Sequence, residues 1–347
     1  MAYITFQPSD HFITHLYTGN DSTNNQTSLG MTPDLVWVKC RNNSTPSHYW
    51  VDKVRGDKKY ISSNLTASES TDSNTFDLVS GGFNLAGGNG WTNVSGRTYA
   101  SWNWKAGGSQ GSSNTDGTIN TTYTSVNTTA GFSISKFVGT GANATVGHGL
   151  GVAPSMYIVK KLDSSGSWGV YHKSLGATKS MFLDLADSGG THVDYWNNTE
   201  PTSSVFSVGI SSTMNHSGQN MIAYCFAEKT GFSKFGSYIG NGNAAGPFIY
   251  TGFKPAFFLV KNYTSGTGES WHMYDNKRLG YNPAHSKLIP NNNSAEAAET
   301  KIDFLSNGIK IRSAGDGHLN QNTKTYLYMA FAEEPLVSSN NIPATAR

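Results

Sequence analysis

The chain has 347 residues, of which 14% are charged, and a formal net charge of +2. That charge density is well under the ~25% of an average soluble domain, and a balance so close to zero excludes strong electrostatic attraction to nucleic acid or to a membrane surface. With 38 glycines, abundant Asn, Ser and Thr, and 12% aromatics, the surface reads as neutral and polar over cores anchored by aromatic rings.

Residues 1–13 carry neither the basic stretch nor the apolar stretch of a secretory leader, and are read as an N-terminal arm. No apolar run approaches the roughly 20 residues that a membrane helix needs. Residues 14–107 then present five landmarks in order. These are "LYTGND" (16–21), an apolar run from Pro33 to Lys39 ("PDLVWVK"), "HYWVDKVRG" (48–56), "GGFNLAG" (81–87) and "YASWNWKAG" (99–107). Residues 108–131, "GSQGSSNTDGTINTTYTSVNTTAG", are rich in Gly, Ser, Thr and Asn, and read as a flexible or extended linker with a turn at "TDGT".

The landmarks return in residues 132–231 as "KFVGTG", a run from Pro154 to Lys160, "SWGVYHKSLG", "SSVFSVG" and "MIAYCFAEK". Residues 232–335 repeat them as "SYIGNG", a run from Pro255 to Lys261, "SWHMYDNKRLG", "NGIKIRS" and "YLYMAFAEE". Five landmarks in one order three times define an internal repeat. Each unit, at about 100 residues, has the size of a self-contained domain rather than of a solenoid repeat. Residues 336–347 are read as a C-terminal tail.

Short runs of Val, Ile, Tyr, Phe, Trp and Thr broken by Gly and Asn turns predict strands throughout. "VFSVGI" and "IKIR" alternate with the period of two expected of a half-buried strand. The Pro-to-Lys runs are apolar at consecutive positions, which predicts central strands covered on both faces, with the proline at the strand start where a missing donor is tolerated. Residues 293–305 ("NSAEAAETKIDFL") contain good helix formers behind a cap-like Ser294, and a short helical turn or loop is expected there. The resulting fold class is all-β: three tandem antiparallel β-sandwich repeats, jelly-roll-like. They lie either in a row or around a pseudo-threefold axis.

Signals of chemistry are sparse. Cys40 and Cys225 sit in apolar runs and read as buried thiols, with no disulfide or zinc pattern. The sequons at Asn64 and Asn262 read as strand and turn composition. "GNGNAAG" (240–246) has one residue too many for a dinucleotide loop and reads as a turn. Asp184, Asp187, Glu333 and Glu334 are the carboxylates available for glycosidase-type chemistry, but no pair of them recurs in all three units. No catalytic residue, cofactor or metal site is nominated. Possible ligand or partner contacts are Trp168 and Trp271, matched in the first unit by His48; His172 and Asp275, matched by Asp52; and the strand-ending Lys39, Lys160 and Lys261. Each has a structural alternative. The lysines, for example, can lay their stems on apolar neighbours and hold the ammonium in water.

The strings "GMTPDLVWVKCRN", "VDKVRGDKKYISSN", "GHGLGVAPSMYIVKK", "YWNNTEPTSSVFSVG" and "FSKFGSYIGNGNAAGPFIYTGFKPAFFLVK" resemble repeats in uncharacterised proteins of tailed bacteriophages, especially aquatic ones, over about residues 10–335. The resemblance implies a non-enzymatic virion protein, made in the bacterial cytoplasm without a signal peptide and displayed on the particle. A tail fibre or appendage in host attachment is the leading expectation. A capsid decoration or head fibre is the alternative, and a polysaccharide depolymerase a third. The implied partners are other virion proteins and a host surface glycan, with no nucleic acid and no membrane insertion. A homo-oligomer such as a trimer is expected, unless the three internal units make one chain a pseudo-trimer.

Overall fold

In the computed structural model the first Pro-to-Lys run forms strand Leu35–Cys40, buried at all six positions. The described residues are 7–335, other than 75, 89, 265–267, 279, 280 and 284. Residues 1–6 of the expected arm and all of the expected tail, 336–347, lie outside them. Leu35–Cys40 runs antiparallel between the closing strand Thr98–Trp104 and strand Tyr49–Asp52. Its counterparts Met156–Lys161 and Phe257–Asn262 are equally buried. They lie between Asn220–Phe226 and Gly169–His172, and between Thr325–Phe331 and His272–Asp275.

The opening strands Phe12–Thr18, Phe132–Val138 and Ser233–Ile239 pair with the far side of the closing strands. Beyond the hairpin partner come Lys59–Ile61 and Ser70–Thr71 in the first unit, and Lys179–Phe182 and Gly190–Thr191 in the second. In the third, His285–Lys287 and Ala297–Glu299 follow through a Met273–Leu288 bridge. A smaller second layer lies over each large sheet. In the first unit it is Asn24–Gln26, Gly82–Leu85 and Phe76–Val79; in the second, Ala144–Gly147 and Val205–Val208; in the third, Phe248–Tyr250, Gly308–Ile311 and Ile302–Leu305. Six strands face three in the first unit, so the layers are unequal, unlike the two sheets of an eight-stranded jelly roll.

Alternation along the Pro-to-Lys strands explains why they carry no polar face. Leu35 and Trp37, Met156 and Ile158, and Phe257 and Leu259 all point into one cluster that draws residues from all three units. The residues between them point the other way. Val36 and Val38 meet the first unit's small sheet at Phe76, Leu78, Phe83 and Leu85. Tyr157 and Val159 meet Phe206 and Val208, and Phe258 and Val260 meet Ile302, Phe304, Ile309 and Ile311. Each unit is therefore a sandwich with its own outer core, and its inner face completes a core shared with the other two. Rings dominate that shared core: Phe12 packs against Trp104, Phe257 and Phe331 at 5.0, 5.7 and 5.2 Å. Phe331 meets Phe226 at 6.0 Å.

Three sequence expectations change. The stretch 108–131 is not a flexible linker. Tyr123–Asn127 adds a strand to the second unit by pairing with Phe132–Val138, and Ile119, 7% exposed, bridges in parallel to Val146. The connecting turn is built by Asn127 Oδ1, which accepts from Ala130 N at 3.0 Å, and by Gly131 at φ 68°. The first unit opens at Phe12 rather than at residue 14, because Phe12 is fully buried in the shared core. Residues 293–305 hold strands Ala297–Glu299 and Ile302–Leu305 and no helix; sheet pairing on both flanks overrides the local helix propensity. Cys40 and Cys225 are buried free thiols, as expected. Among the described residues no helix is long and apolar enough to cross a membrane.

Candidate functional site

The residues that recur in all three units meet at the seams between units. His48 accepts from Trp37 Nε1 at Nδ1, 2.8 Å, which leaves Nε2 to donate to Ile289 O of the third unit at 3.0 Å. Trp168 Nε1 donates to Leu65 O of the first unit at 3.1 Å, and Trp271 Nε1 to Phe182 O of the second at 2.8 Å. The first unit thus bonds to the third, the second to the first and the third to the second. A row of units cannot do this; a ring about a pseudo-threefold axis does. A backbone bond follows the same circuit: Glu69 N to Leu162 O, Gly189 N to Tyr263 O and Glu296 N to Arg41 O, at 2.7, 3.3 and 2.7 Å.

Two of the three lysines reach across the same seams. Lys39, Lys160 and Lys261 share the strand face of the shared core, and all three are fully buried. Lys160 Nζ donates to Thr66 O of the first unit at 3.2 Å and to Lys161 O at 2.8 Å. Lys261 Nζ donates to Ala186 O of the second unit at 2.8 Å and to Glu269 O. Lys39 Nζ donates within its own unit, to Cys40 O at 3.0 Å, and burial first and the Lys39 charge second hold the His48 ring neutral. Burial pushes the ammonium groups of Lys39 and Lys160 down to about 8 and that of Lys261 to about 7.

The third recurring position varies with its partner. Asp52 accepts from Arg55 Nε and from Tyr224 OH of the second unit, the latter at 2.7 Å. Asp275 accepts from Arg278 Nε at 2.6 Å and from Trp102 Nε1 of the first unit at 3.1 Å. Each arginine also reaches a second acid, Glu69 at 3.5 Å or Glu296 at 3.3 Å. In the second unit the neighbour at the matching closing-strand place is Met329, which offers no donor. There the acid is His172, whose Nε2 lies 3.2 Å from Tyr328 O. The arginine is Leu175 and the second acid is Gly189. A Cβ on Gly189 would stand 3.3 Å from Leu175 Cδ1, so the leucine occupies the space the ion network fills elsewhere. Three replacements keep this seam free of unpaired buried charge.

Trp168, Trp271, His172, Asp275, Lys39, Lys160 and Lys261 are at most 2% exposed, so none of them stands open to a ligand. All but Lys39 bond across a seam, and the lysine ammonium groups lie under backbone carbonyls rather than in water. Asp184 and Glu333 are buried too, bonded to Trp168 N at 2.9 Å and Thr14 N at 2.7 Å. One repeated residue escaped the sequence reading. Asn93, Asn215 and Asn320, each six residues before the closing landmark, are fully buried. Their side chains tie the turn after the opening strand to the loop before the closing strand.

An open cleft of about 270 Å³ lies on the first unit, between Tyr60, the turn at 71–74 and the loop at Gly88, Gly90 and Trp91. The rings of Tyr60 and Trp91 stand 6.4 Å apart at 43°. Tyr60 is held by a stack that continues inward through Tyr49, Phe76 and Phe83, at 4.3, 5.5 and 5.2 Å. Asp72 is fixed by Tyr49 OH at 2.8 Å and by Asn74 N at 2.9 Å. Gly88 has a φ of 79°, and a Cβ there would stand 3.5 Å from Asn74 Oδ1. Strand register and spacing from the repeated Asn put Ser180 and Thr213 at the places of Tyr60 and Trp91 in the second unit, and Lys287 and His318 in the third. The signal in the sequence was a pair of aromatics present in one copy only. Among the described residues no group of His, Cys, Asp and Glu could hold a metal ion.

A family model described as a domain of unknown function, DUF7483, matches residues 7–335. The chain belongs to the DUF7483 family. The match runs unbroken from the turn before the first opening strand to the end of the third unit, so DUF7483 as a family spans the whole closed ring. No curated protein and no solved structure matches the chain.

Proposed function

We propose that this DUF7483 chain is a non-enzymatic structural protein of a bacteriophage particle, displayed on its surface as part of a tail fibre or appendage in host attachment. The observation that supports it is the closed ring. Three units around one axis give a single chain the outline of a trimer, which suits a threefold element of a symmetric particle without three copies being assembled. The phage-repeat resemblance of the landmark strings supports the same reading, as does a neutral surface of Asn, Ser and Thr. The expected partners are other virion proteins and a host surface glycan. The same outline also fits a local threefold position on a capsid, so a head decoration is the second reading. Gold-labelled antibody against the purified protein, applied to intact particles, is expected to mark the tail. Label on the head establishes the second reading, and particles without label overturn both.

A further inference from the structure

We propose that the open edge of strand Phe248–Tyr250, in the third unit's small sheet, binds an extended segment of a partner polypeptide by strand addition. The segment carries a β-branched apolar residue between polar neighbours. The second unit shows what such an edge takes. Its strand Ala144–Gly147 corresponds to Phe248–Tyr250, because Val146 pairs with Phe206 as Ile249 pairs with Ile309. There the chain's own Thr118 and Ile119 run alongside in parallel, through the Ile119–Val146 bridge. Ile119 N donates to Thr145 O, and Thr145 N donates to Thr118 Oγ1, both at 2.9 Å. The Ile119 side chain enters the second unit's outer core. Main-chain bonds thus give attachment, and one apolar side chain gives the register.

The third unit has the same edge without a segment of its own to cover it. Only residues 227–232 separate the second unit's closing strand from Ser233, too few to repeat what residues 108–131 do. Phe248–Tyr250 stands at the end of its sheet. Ile311 N donates to Pro247 O and Thr251 N to Asn307 O, each at 3.0 Å. Phe248 and Tyr250 therefore turn their own N–H and C=O groups away from the sheet, and among the described residues nothing bonds to those groups. Edges left to water are usually blunted with charged side chains. This one carries two rings, Phe248 at 46% and Tyr250 at 62% exposure, whereas the first unit's edge, Asn24–Gln26, is wholly polar. Gly308 makes room for one ring: a Cβ there would stand 2.8 Å from Phe248 Cζ, and the second unit has Val205 at that place. Ile249 faces the outer core and the rings face solvent, so an added strand meets apolar surface on both sides.

The probe is a synthetic peptide of residues 112–121, SSNTDGTINT, titrated into the isotope-labelled full chain and read by backbone amide shifts. Saturable shifts at Phe248, Ile249 and Tyr250 are expected, with a Kd on the order of 1 mM. The same peptide with Ile119→Asp is expected to bind at least about tenfold more weakly. In the chain, Phe248→Pro removes an outward N–H and a ring while leaving the sheet's own bonds, and is expected to weaken binding by about tenfold or more. Tyr250→Lys, at an exposed position, is the second variant and gives a like loss. No shifts, or shifts confined to residues 144–147, overturn the proposal. So does unchanged affinity in folded Phe248→Pro or, should that variant not fold, in Tyr250→Lys. A dimer in light scattering that Tyr250→Lys returns to one copy assigns the edge to a second copy of the chain. Peptide binding that appears only after removal of residues 336–347 assigns it to the chain's own end. Either result overturns the proposal as well.

Discussion

Each Pro-to-Lys strand ends with a buried ammonium group, where carbonyl oxygens replace water. Because the folded pKa values lie at about 7 to 8, below the ordinary ~10.4 of lysine, the unfolded chain binds more protons than the folded one above pH 7. Stability therefore rises with pH through that window. Buried thiols and phenols act oppositely. Cys40, Cys225, Tyr157 and Tyr224 are all pushed up by burial, so the unfolded state loses their protons first, and stability falls above about pH 9–10. Denaturant midpoints measured across pH are expected to climb from pH 7 to about 9 and then decline. Lys261→Met is expected to flatten the rising limb. A midpoint that falls steadily from pH 7 contradicts burial of the lysines. On the acid side His48 and His172 are held neutral, His172 at about 4. Their contribution is present above ~6.5 and is lost as pH drops below it.

At the scale of elements, the seam networks come in two versions, ionic in the first and third units and apolar in the second. Removing one partner of a buried ion pair costs about 3–5 kcal/mol. Arg55→Leu removes the guanidinium and leaves Asp52 with only the backbone N–H of residue 55 and Tyr224 OH as donors, and is expected to lower the unfolding free energy by that amount in urea melts. Arg55→Leu combined with Asp52→His and Glu69→Gly, the second unit's own set, is expected to recover most of the loss; a triple variant no better than the single one contradicts the pairing. Strand identity and the triple repeat were legible in the sequence because burial of both faces writes an unbroken apolar run, as in "DLVWV" and "AFFLV". The added strand Tyr123–Asn127 was not, because its Ser, Thr and Asn serve sheet edges and linkers equally. Ala297–Glu299 was hidden for the opposite reason, a helix-forming composition overruled by pairing. The recurring Trp and Asp, with Lys160 and Lys261, looked like contacts and are contacts, but between units, whereas Lys39 bonds within its own. Recurrence alone does not separate a seam from a surface, whereas Tyr60 and Trp91, present once, left only a broken pattern.

At the scale of the whole molecule, the shared core makes the units interdependent. A single unit cut out as residues 7–107 exposes Phe12, Trp37, Trp50, Trp102 and Trp104, all of which face the shared core. An exposed apolar face of that size drives association. The excised unit is expected to self-associate or to aggregate, whereas the full chain has the mass of one copy in light scattering. A well-behaved monomeric unit contradicts the shared core. The most direct test is native-state hydrogen exchange of the intact chain. The strands Leu35–Cys40, Met156–Lys161 and Phe257–Asn262 are each covered on both faces and each border the same core. The account predicts that their amides exchange through one common opening with a single free energy, so that the ring unfolds as one cooperative unit. Three separate opening free energies, with one unit exchanging while the others stay protected, would show independent domains in a row and contradict it.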